Sequence, residues 1–565
     1  PMREGTAAEI VDLVLTPKPE LMIHAGDLPA TAAALRDLLA ASGKFFDRGI
    51  PVRVVAPADK GPPSAMALTN HNVVIECHRL CQPMKMDRGR QYIPATLPDR
   101  VARMYLDMLG EWKLSPLAGV STSPLLSADG SVRAADGYDP ATAVWCHDVP
   151  RLTLPVRPSR GDAERALRLL RETFCTFPFC DAVRRWDSFL GVEVVEIDEP
   201  PGRDESAFIV NVLTAVCRPS LGLAPGMLVT APEVSGAGSG KGLLVRAICM
   251  IAFGIHPRAF TMGSERQELD KRLVAELIEA HPTLFLDNAN GIALRSDTLA
   301  SVLTERPAWV RPLGVSRMVP LNSAAFVAVT GNGLSVTEDL ARRFIPTELD
   351  ARCEDPESRP FAAGFLNHIE RRRAELLTAV LTIWRWGRQN ASGLPRGKPL
   401  GSFETWAEWC RDPCVALGCR DPVERIETLK ANDPRRQTIV GLFRSWWEHH
   451  GASPVTANEL AEQVRAIIDP QGRGRQYVAR YLARLAGTRA AGLVLTRQDP
   501  AGKWAAATYV LNNTAPTEQA RHRTHRTHRT DEPEGGVTLA PMSPMSPMPG
   551  ASNDGGVPPG AEAEI

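Results

Sequence analysis

Short apolar runs closed by glycine, proline or a polar side chain recur through the middle of the chain. They alternate with longer stretches whose apolar residues return every three to four positions. Met227-Leu-Val-Thr230, Thr283-Leu-Phe-Leu286 and Ala324-Ala-Phe-Val-Ala-Val329 predict strands buried on both faces, as in a parallel sheet. Leu243 to Phe253, Asp162 to Phe174 and Phe361 to Gln389 predict helices, the last with Ile369, Leu376, Leu377, Val380, Leu381 and Trp384 on one broad face. Nearer the start, Pro29 to Ser42 and Leu97 to Lys113 read as helices, Val52-Arg-Val-Val55 as a strand and Gly137 to Thr142 as a tight turn. Toward the end, Thr456-Ala-Asn-Glu459 predicts a capping box opening a helix to Ile468, and Pro470 to Gly474 breaks it. A second helix runs from Arg475 to Ala486. Leu493 to Thr496 and Trp504 to Leu511 then pair through the turn Asp499-Pro-Ala-Gly502, the helix, helix and two-stranded wing of a winged helix.

Between the first buried run and the helix at Leu243 lies Pro232-Glu-Val-Ser-Gly-Ala-Gly-Ser-Gly-Lys-Gly242. A buried strand, a glycine turn and a helix form a phosphate cradle. Small residues let backbone N–H groups close around a polyphosphate, and the helix N-terminus adds partial positive charge. Gly236, Gly238, Ser239, Gly240 and Gly242 are the cradle candidates, and Lys241 is the residue that reaches the β and γ oxygens. Two positions depart from the strict G-x-x-x-x-G-K-[ST] pattern: Ser235 replaces the first glycine, and Gly242 replaces the hydroxyl that ligates Mg²⁺. Asp287 closes the second buried run and is followed by Asn288. Asn332 closes the third, and Arg342-Arg343 follow on a helix expected over Glu338 to Phe344.

In this order, Lys241, Asp287, Asn332 and Arg343 resemble the motifs of ring-forming AAA+ ATPases, nearest to superfamily 3 helicases. The blocks Leu286-Asp-Asn-Ala-Asn290, Thr330-Gly-Asn-Gly333, Glu338 to Phe344 and Leu349-Asp-Ala-Arg352 are similar to helicase or primase-helicase ATPases of bacterial mobile elements. The resemblance covers residues 220 to 390. It implies ATP and Mg²⁺ as cofactors, with Asp287 holding the metal, Asn332 orienting water, Arg343 acting on a neighbour's nucleotide, and a homo-hexameric ring on DNA. It also implies that the segment Trp309 to Leu321, a hairpin turning at Gly314, grips one strand in the channel through Arg311 and Arg317. Asn288 stands where the family places the acid that acts as base. Asn288 and Gly242 therefore leave two readings open: a DNA motor, or a nucleotide-binding assembly or regulatory protein with little hydrolysis.

Length and charge adjust this picture only locally. The chain of 565 residues has room for three to four domains. These read as an α/β domain (1–155), the P-loop core (156–355), a helical lid and connector (356–450), the winged helix (451–513) and a low-complexity tail (514–565). The formal net charge is zero, so contact with DNA has to come from patches such as Arg475, Arg480, Arg484 and Lys503 on the winged helix. In the lid, Arg385 is a candidate second sensor. The 11 cysteines read as thiols, because neither Cys77-His-x-x-Cys81 nor Cys410, Cys414 and Cys419 has the paired spacing of structural zinc. Trp406, Trp409, Trp446 and Trp447 read as core. No apolar run reaches membrane-spanning length, and no secretory pattern opens the sequence at Pro1. A cytoplasmic protein working with other replication proteins of its element is expected.

Overall fold

Five apolar runs line up as one parallel sheet: β1 (Gly226–Ala231), β2 (Ala259–Phe260), β3 (Thr283–Leu286), β4 (Phe326–Asn332) and β5 (Phe344–Glu348), in the spatial order β2-β3-β4-β1-β5. The computed structural model describes residues 18–56, 62–261, 266–290, 293–313, 316–359, 364–431, 433–498, 506–513 and 562–564. Side chains alternate across the sheet with the period of two that a strand imposes. Met227, Val229, Phe285, Phe326, Ala328 and Ile345 face one core. Leu228, Leu284, Leu286, Val327, Val329 and Phe344 face the other. Both faces being covered explains why these strands read as continuous apolar runs, and the mixed α/β class follows directly.

The first core is filled by three helices: Arg203–Cys217, Lys241–Phe253 and Arg373–Gln389. The helix Arg203–Cys217 is buried nearly all round, and its two acids are paired: Asp204 with Arg425 and Glu205 with Arg171. Burial pushes the Asp204 carboxyl up to about 6, against the pull of Arg425. The second core takes Leu269, Leu273 and Leu277 from the helix Arg266–Ile278, and Leu299 and Leu303 from Asp297–Thr304.

The expected helical lid does not stand apart. Its long helix is broken into Phe365–Arg371 and Arg373–Gln389, and both pack into the first core together with Trp406 and Trp409. Arg385 is buried there and donates to the carbonyls of Gly130 and Pro155, so the second-sensor role is withdrawn. Arg171, expected on an ordinary half-polar helix, lies inside against Glu205.

The described N-terminal residues, from 18 to 146, are fixed to the sheet domain by a buried arginine. Arg48 donates to the carbonyls of Leu277 and Ile278 at the end of their helix, and to those of Leu117 and Asn322. Helix Leu28–Ala41 and strand Pro51–Val55 form close to where the sequence placed them, while the helix expected over Leu97 to Lys113 covers only Asp99–Leu106. Cys77 and Cys81 are buried with sulfurs 3.4 Å apart, while the His78 ring accepts the Leu97 N–H. Neither cysteine group forms a metal cluster among the described residues.

A second compact unit begins at Ala431, so the helix Pro434–His450 goes with the C-terminal elements, one helix earlier than expected. Leu442, Phe443 and Trp446 share a core with Val464, Val478, Leu482, Leu495 and Leu511. Its sheet is antiparallel, in the order Val455–Thr456, Thr508–Asn513, Leu493–Gln498, Arg489–Ala490. Thr456 and Glu459 do bond to each other, but they close a turn after a strand. The helix starts only at Glu462.

Replacing Arg48 with methionine keeps the packed stem and removes every donor. The stranded carbonyls are expected to cost on the order of 3 kcal/mol or more. Thermal denaturation should show a clear fall in Tm, and an unchanged Tm would mean that Arg48 does not hold the N-terminal segment to the sheet domain.

Candidate functional site

In an open parallel sheet the chain leaves each strand at its carboxyl end, and that is where ligand-binding side chains collect. β1 ends at Ala231, directly beside Asn332 at the end of β4, and the glycine loop starts there. A Cβ on Gly236 would lie 2.1 Å from the Pro232 carbonyl oxygen and 2.9 Å from Asn332 Oδ1, so only glycine lets the loop close down on β4. Gly238 and Gly240 have φ of 71° and 92°. Gly238 also abuts the backbone of Glu357, and Gly240 abuts the Phe177 ring. The loop is therefore a shaped turn walled by two segments distant in sequence.

Lys241 opens the helix that follows. Its ammonium donates to the Gly236 carbonyl at 2.7 Å and to Ser239 Oγ at 3.2 Å, and Ser239 donates to the same carbonyl. Burial draws the Lys241 ammonium below its usual pKa, and the Asp287 carboxylate pulls it back up. At the end of β3, Asp287 Oδ1 accepts from Thr330 Oγ at 2.5 Å and from the Asn288 N–H at 3.1 Å. Its Oδ2 lies 3.7 Å from Arg246 Nη2, and 3.4 Å from the point a Cβ on Gly242 would occupy. Asp287 therefore faces the first turn of the Lys241 helix. Asn288 is exposed and sits at φ 60°, a left-handed conformation that asparagine tolerates, with its N–H also reaching Thr330 Oγ at 3.3 Å. The Asn332 N–H is held by Asn290 Oδ1 at 2.7 Å. Its own Oδ1 is buried and has no hydrogen-bond partner among the described residues.

The sequence candidates Gly236, Gly238, Ser239, Gly240, Lys241, Gly242, Asp287, Asn288 and Asn332 are thus gathered at one edge. Thr330, Asn290 and Arg246 complete the group and were missed. Thr330 carried a signal, as a hydroxyl inside an otherwise apolar strand in register with the residue after Leu286. Arg246 looked like an interruption of an apolar helix, yet its guanidinium lies over the Phe285 ring, 5.5 Å from its centre.

Arg343 is not among them. The expected helix stops at Ala341 and Phe344 already belongs to β5, so Arg343 sits on the connection, its carbonyl accepting the Gly226 N–H. That is the amino end of β1, about 20 Å from the loop at about 3.3 Å per residue. Its guanidinium pairs with Asp339 at 3.2 Å. Farther off, Ala308–Val310 and Val319–Leu321 form the expected hairpin, with Arg311 exposed and Arg317 half-buried. Gly314 lies outside the described residues. Arg475 opens the helix Arg475–Leu485, where Arg480 and Arg484 are also exposed, and Lys503 lies outside the described residues.

The residues fit a nucleotide by their own geometry. The loop is closed to any Cβ at Gly236, a buried amide oxygen lacks a partner beside it, and a lysine and a carboxylate flank the helix start.

No family model matches the chain, and no curated protein matches it. Among solved structures, the apo C-terminal region of NrS-1 (305–718) aligns with 85% of this chain and 99% of its own, at 11% identity and a TM-score of 0.34. A second, A-form apo structure of that region gives the same identity and TM-score. The structure described as SCCmec type IV Cch, active helicase, aligns with 84% of this chain and 91% of its own, at 12% identity and a TM-score of 0.31. Among the described residues, no helix is long and apolar enough to cross a membrane.

Gly236→Ala should spring the loop away from β4. Amide exchange across residues 232–240 is expected to accelerate, with exchange in β1 unchanged. Identical exchange in both proteins would mean that the loop does not depend on that close approach.

Proposed function

We propose that the chain is an ATP-dependent motor on DNA, a helicase or replication initiator of AAA+ and superfamily 3 type, built as a homo-hexameric ring. The observation that carries this reading is the meeting of Lys241, the Thr330–Asp287 pair and Asn332 Oδ1, unpartnered among the described residues, at adjoining strand ends. ATP with Mg²⁺, when bound, supplies the phosphoanhydride whose cleavage drives the cycle. Lys241 would leave the Gly236 carbonyl to hold the phosphates, and the loop N–H groups would join it. Asp287, aimed by Thr330, would hold the metal's shell. Asn332 would fix the attacking water. Arg343, too far from its own loop, would serve a neighbouring copy, a contribution of about 10³-fold or more in rate.

The DNA half of the proposal has separate support. Arg475, Arg480 and Arg484 project from one exposed helix with no ion pair among the described residues, and a two-stranded antiparallel pair follows. That is the arrangement of a winged helix meeting a duplex. The 308–321 hairpin, with Arg311 and Arg317, is the candidate for the single strand.

A second reading, a nucleotide-binding assembly with little turnover, draws on Asn288. This residue is tethered to Thr330 through its N–H and carries no carboxylate to take a proton from water. Phosphate release measured with and without single-stranded DNA separates the two. DNA-stimulated turnover, cut roughly 10²-fold by Lys241→Ala, supports the motor. Saturable ATP binding with negligible release supports the assembly, and Asn288→Asp should then raise turnover by about 10-fold or more. No saturable ATP binding by the wild-type protein would overturn both.

For the duplex contact, Arg480→Ala with Arg484→Ala should weaken binding on every sequence alike and lower the salt dependence by about one ion per residue. Unchanged affinity and salt slope would remove the winged helix from the account.

A further inference from the structure

Beside the glycine loop stands a hairpin that the proposed chemistry does not use. Arg184–Asp187 pairs antiparallel with Val192–Val195, and the tip between them displays Phe189, 95% exposed, with Trp186, 65% exposed, and Leu190 close by. Large apolar side chains in a cluster on a protruding arm mark a contact surface.

The arm is rigidly built. At the tip, Asp187 Oδ1 accepts the N–H groups of Phe189 and Leu190, and the Asp187 carbonyl accepts that of Gly191 at 2.8 Å. At the base, Arg184 is buried and donates to the carbonyls of Phe179 and Asp350. The base also fixes where the arm emerges. Cys180 N–H donates to the carbonyl of Glu348, the last residue of β5, and Phe177 packs on Gly240. The aromatic tip therefore rises from the carboxyl-end pole of the sheet, next to the loop. Val234, within the loop, is 96% exposed on the same pole.

Arg343 occupies the opposite pole. If it is to complete a nucleotide site, the amino-end pole of one copy must come against the carboxyl-end pole of the next, a head-to-tail contact. We infer that the Arg184–Val195 hairpin is the arm of that contact, with Trp186, Phe189 and Leu190 seated on the amino-end pole of the second copy whose Arg343 serves this loop. Charge favours another chain over nucleic acid as the occupant. Residues 181–199 contain six carboxylates (Asp181, Asp187, Glu193, Glu196, Asp198 and Glu199) against Arg184 and Arg185. The Arg184 side chain is buried beside Glu193, Arg185 is engaged by Asp187 and Glu196, and Asp198 is paired with Arg168, which leaves Asp181 and Glu199 without an ion pair among the described residues. Such a rim repels phosphate and suits a surface presenting the exposed Arg342, which shares Asp339 with the half-buried Arg343.

This inference rests on the ring reading, and the test separates the two. The full-length protein is sized by sedimentation with a non-hydrolysable ATP analogue, alongside the double variant Trp186→Ser with Phe189→Ser. Loss of two aromatic anchors is expected to weaken assembly at least roughly 30-fold while binding of a fluorescent ATP analogue persists. Phe189→Glu repeats the measurement at a side chain with almost no packing to lose. Mixing the double variant with Arg343→Ala should restore phosphate release, because one junction then joins an intact arm to an intact arginine. Wild-type protein that stays monomeric with nucleotide would overturn the ring and the arm together. Wild-type protein that assembles, with variants that assemble equally well, would overturn the arm alone. Absence of recovery on mixing would contradict the pole assignment.

Discussion

A parallel sheet covered on both faces leaves its polar side chains nowhere to go except the strand ends. In this protein β3 is buried along its whole length and β4 up to Asn332, while Thr347 lies buried inside β5 with its hydroxyl unpartnered among the described residues. Thr330 is the exception inside β4, and it is tolerated because its hydroxyl donates to Asp287 on the neighbouring strand. Unpaired, a hydroxyl at that depth would cost about 1–3 kcal/mol. One hydrogen bond therefore satisfies the strand and aims the carboxylate, and the rest of the site is arranged around that fixed point.

The glycine loop is the softer partner. Lys241 donates to the Gly236 carbonyl and to Ser239, so the ammonium is hydrogen-bonded while buried. Both bonds are local to the loop and do not involve the sheet. The neighbours at Gly238 and Gly240, Glu357 and Phe177, limit how far the loop can open. Phe177 also connects the loop to the segment carrying the Trp186 hairpin. A change in loop position thus has a packed route, through the Phe177 ring, to the Arg184–Val195 hairpin.

Much of this was legible in the sequence, for a physical reason. Double burial writes continuous apolar runs, so the three central strands, and with them Asp287 and Asn332 at their ends, could be read directly. The close approach at Gly236 writes a glycine. What the sequence could not show is the identity of the packing partner. The apolar face of Arg373–Gln389 predicted a helix, but not that Arg385 would point inward to two backbone carbonyls. Glu338 to Phe344 looked helical until Phe344 and Ile345 found more burial in β5. Thr456 donates its N–H and its hydroxyl to the Glu459 carboxylate without starting a helix, because Val455 and Thr456 pair with Tyr509 and Thr508. Thr330 and Arg246 needed the register of the sheet before their roles could be seen.

The account stands on a triphosphate seated between the glycine loop and Asp287. A structure of the protein with a non-hydrolysable ATP analogue and Mg²⁺ addresses it most directly. The account predicts phosphate oxygens within hydrogen-bond reach of Lys241 Nζ and of the loop amides, with the metal on the Asp287 side and the Asn332 amide partnered. A nucleotide bound elsewhere, with Lys241 still on the Gly236 carbonyl, would contradict it.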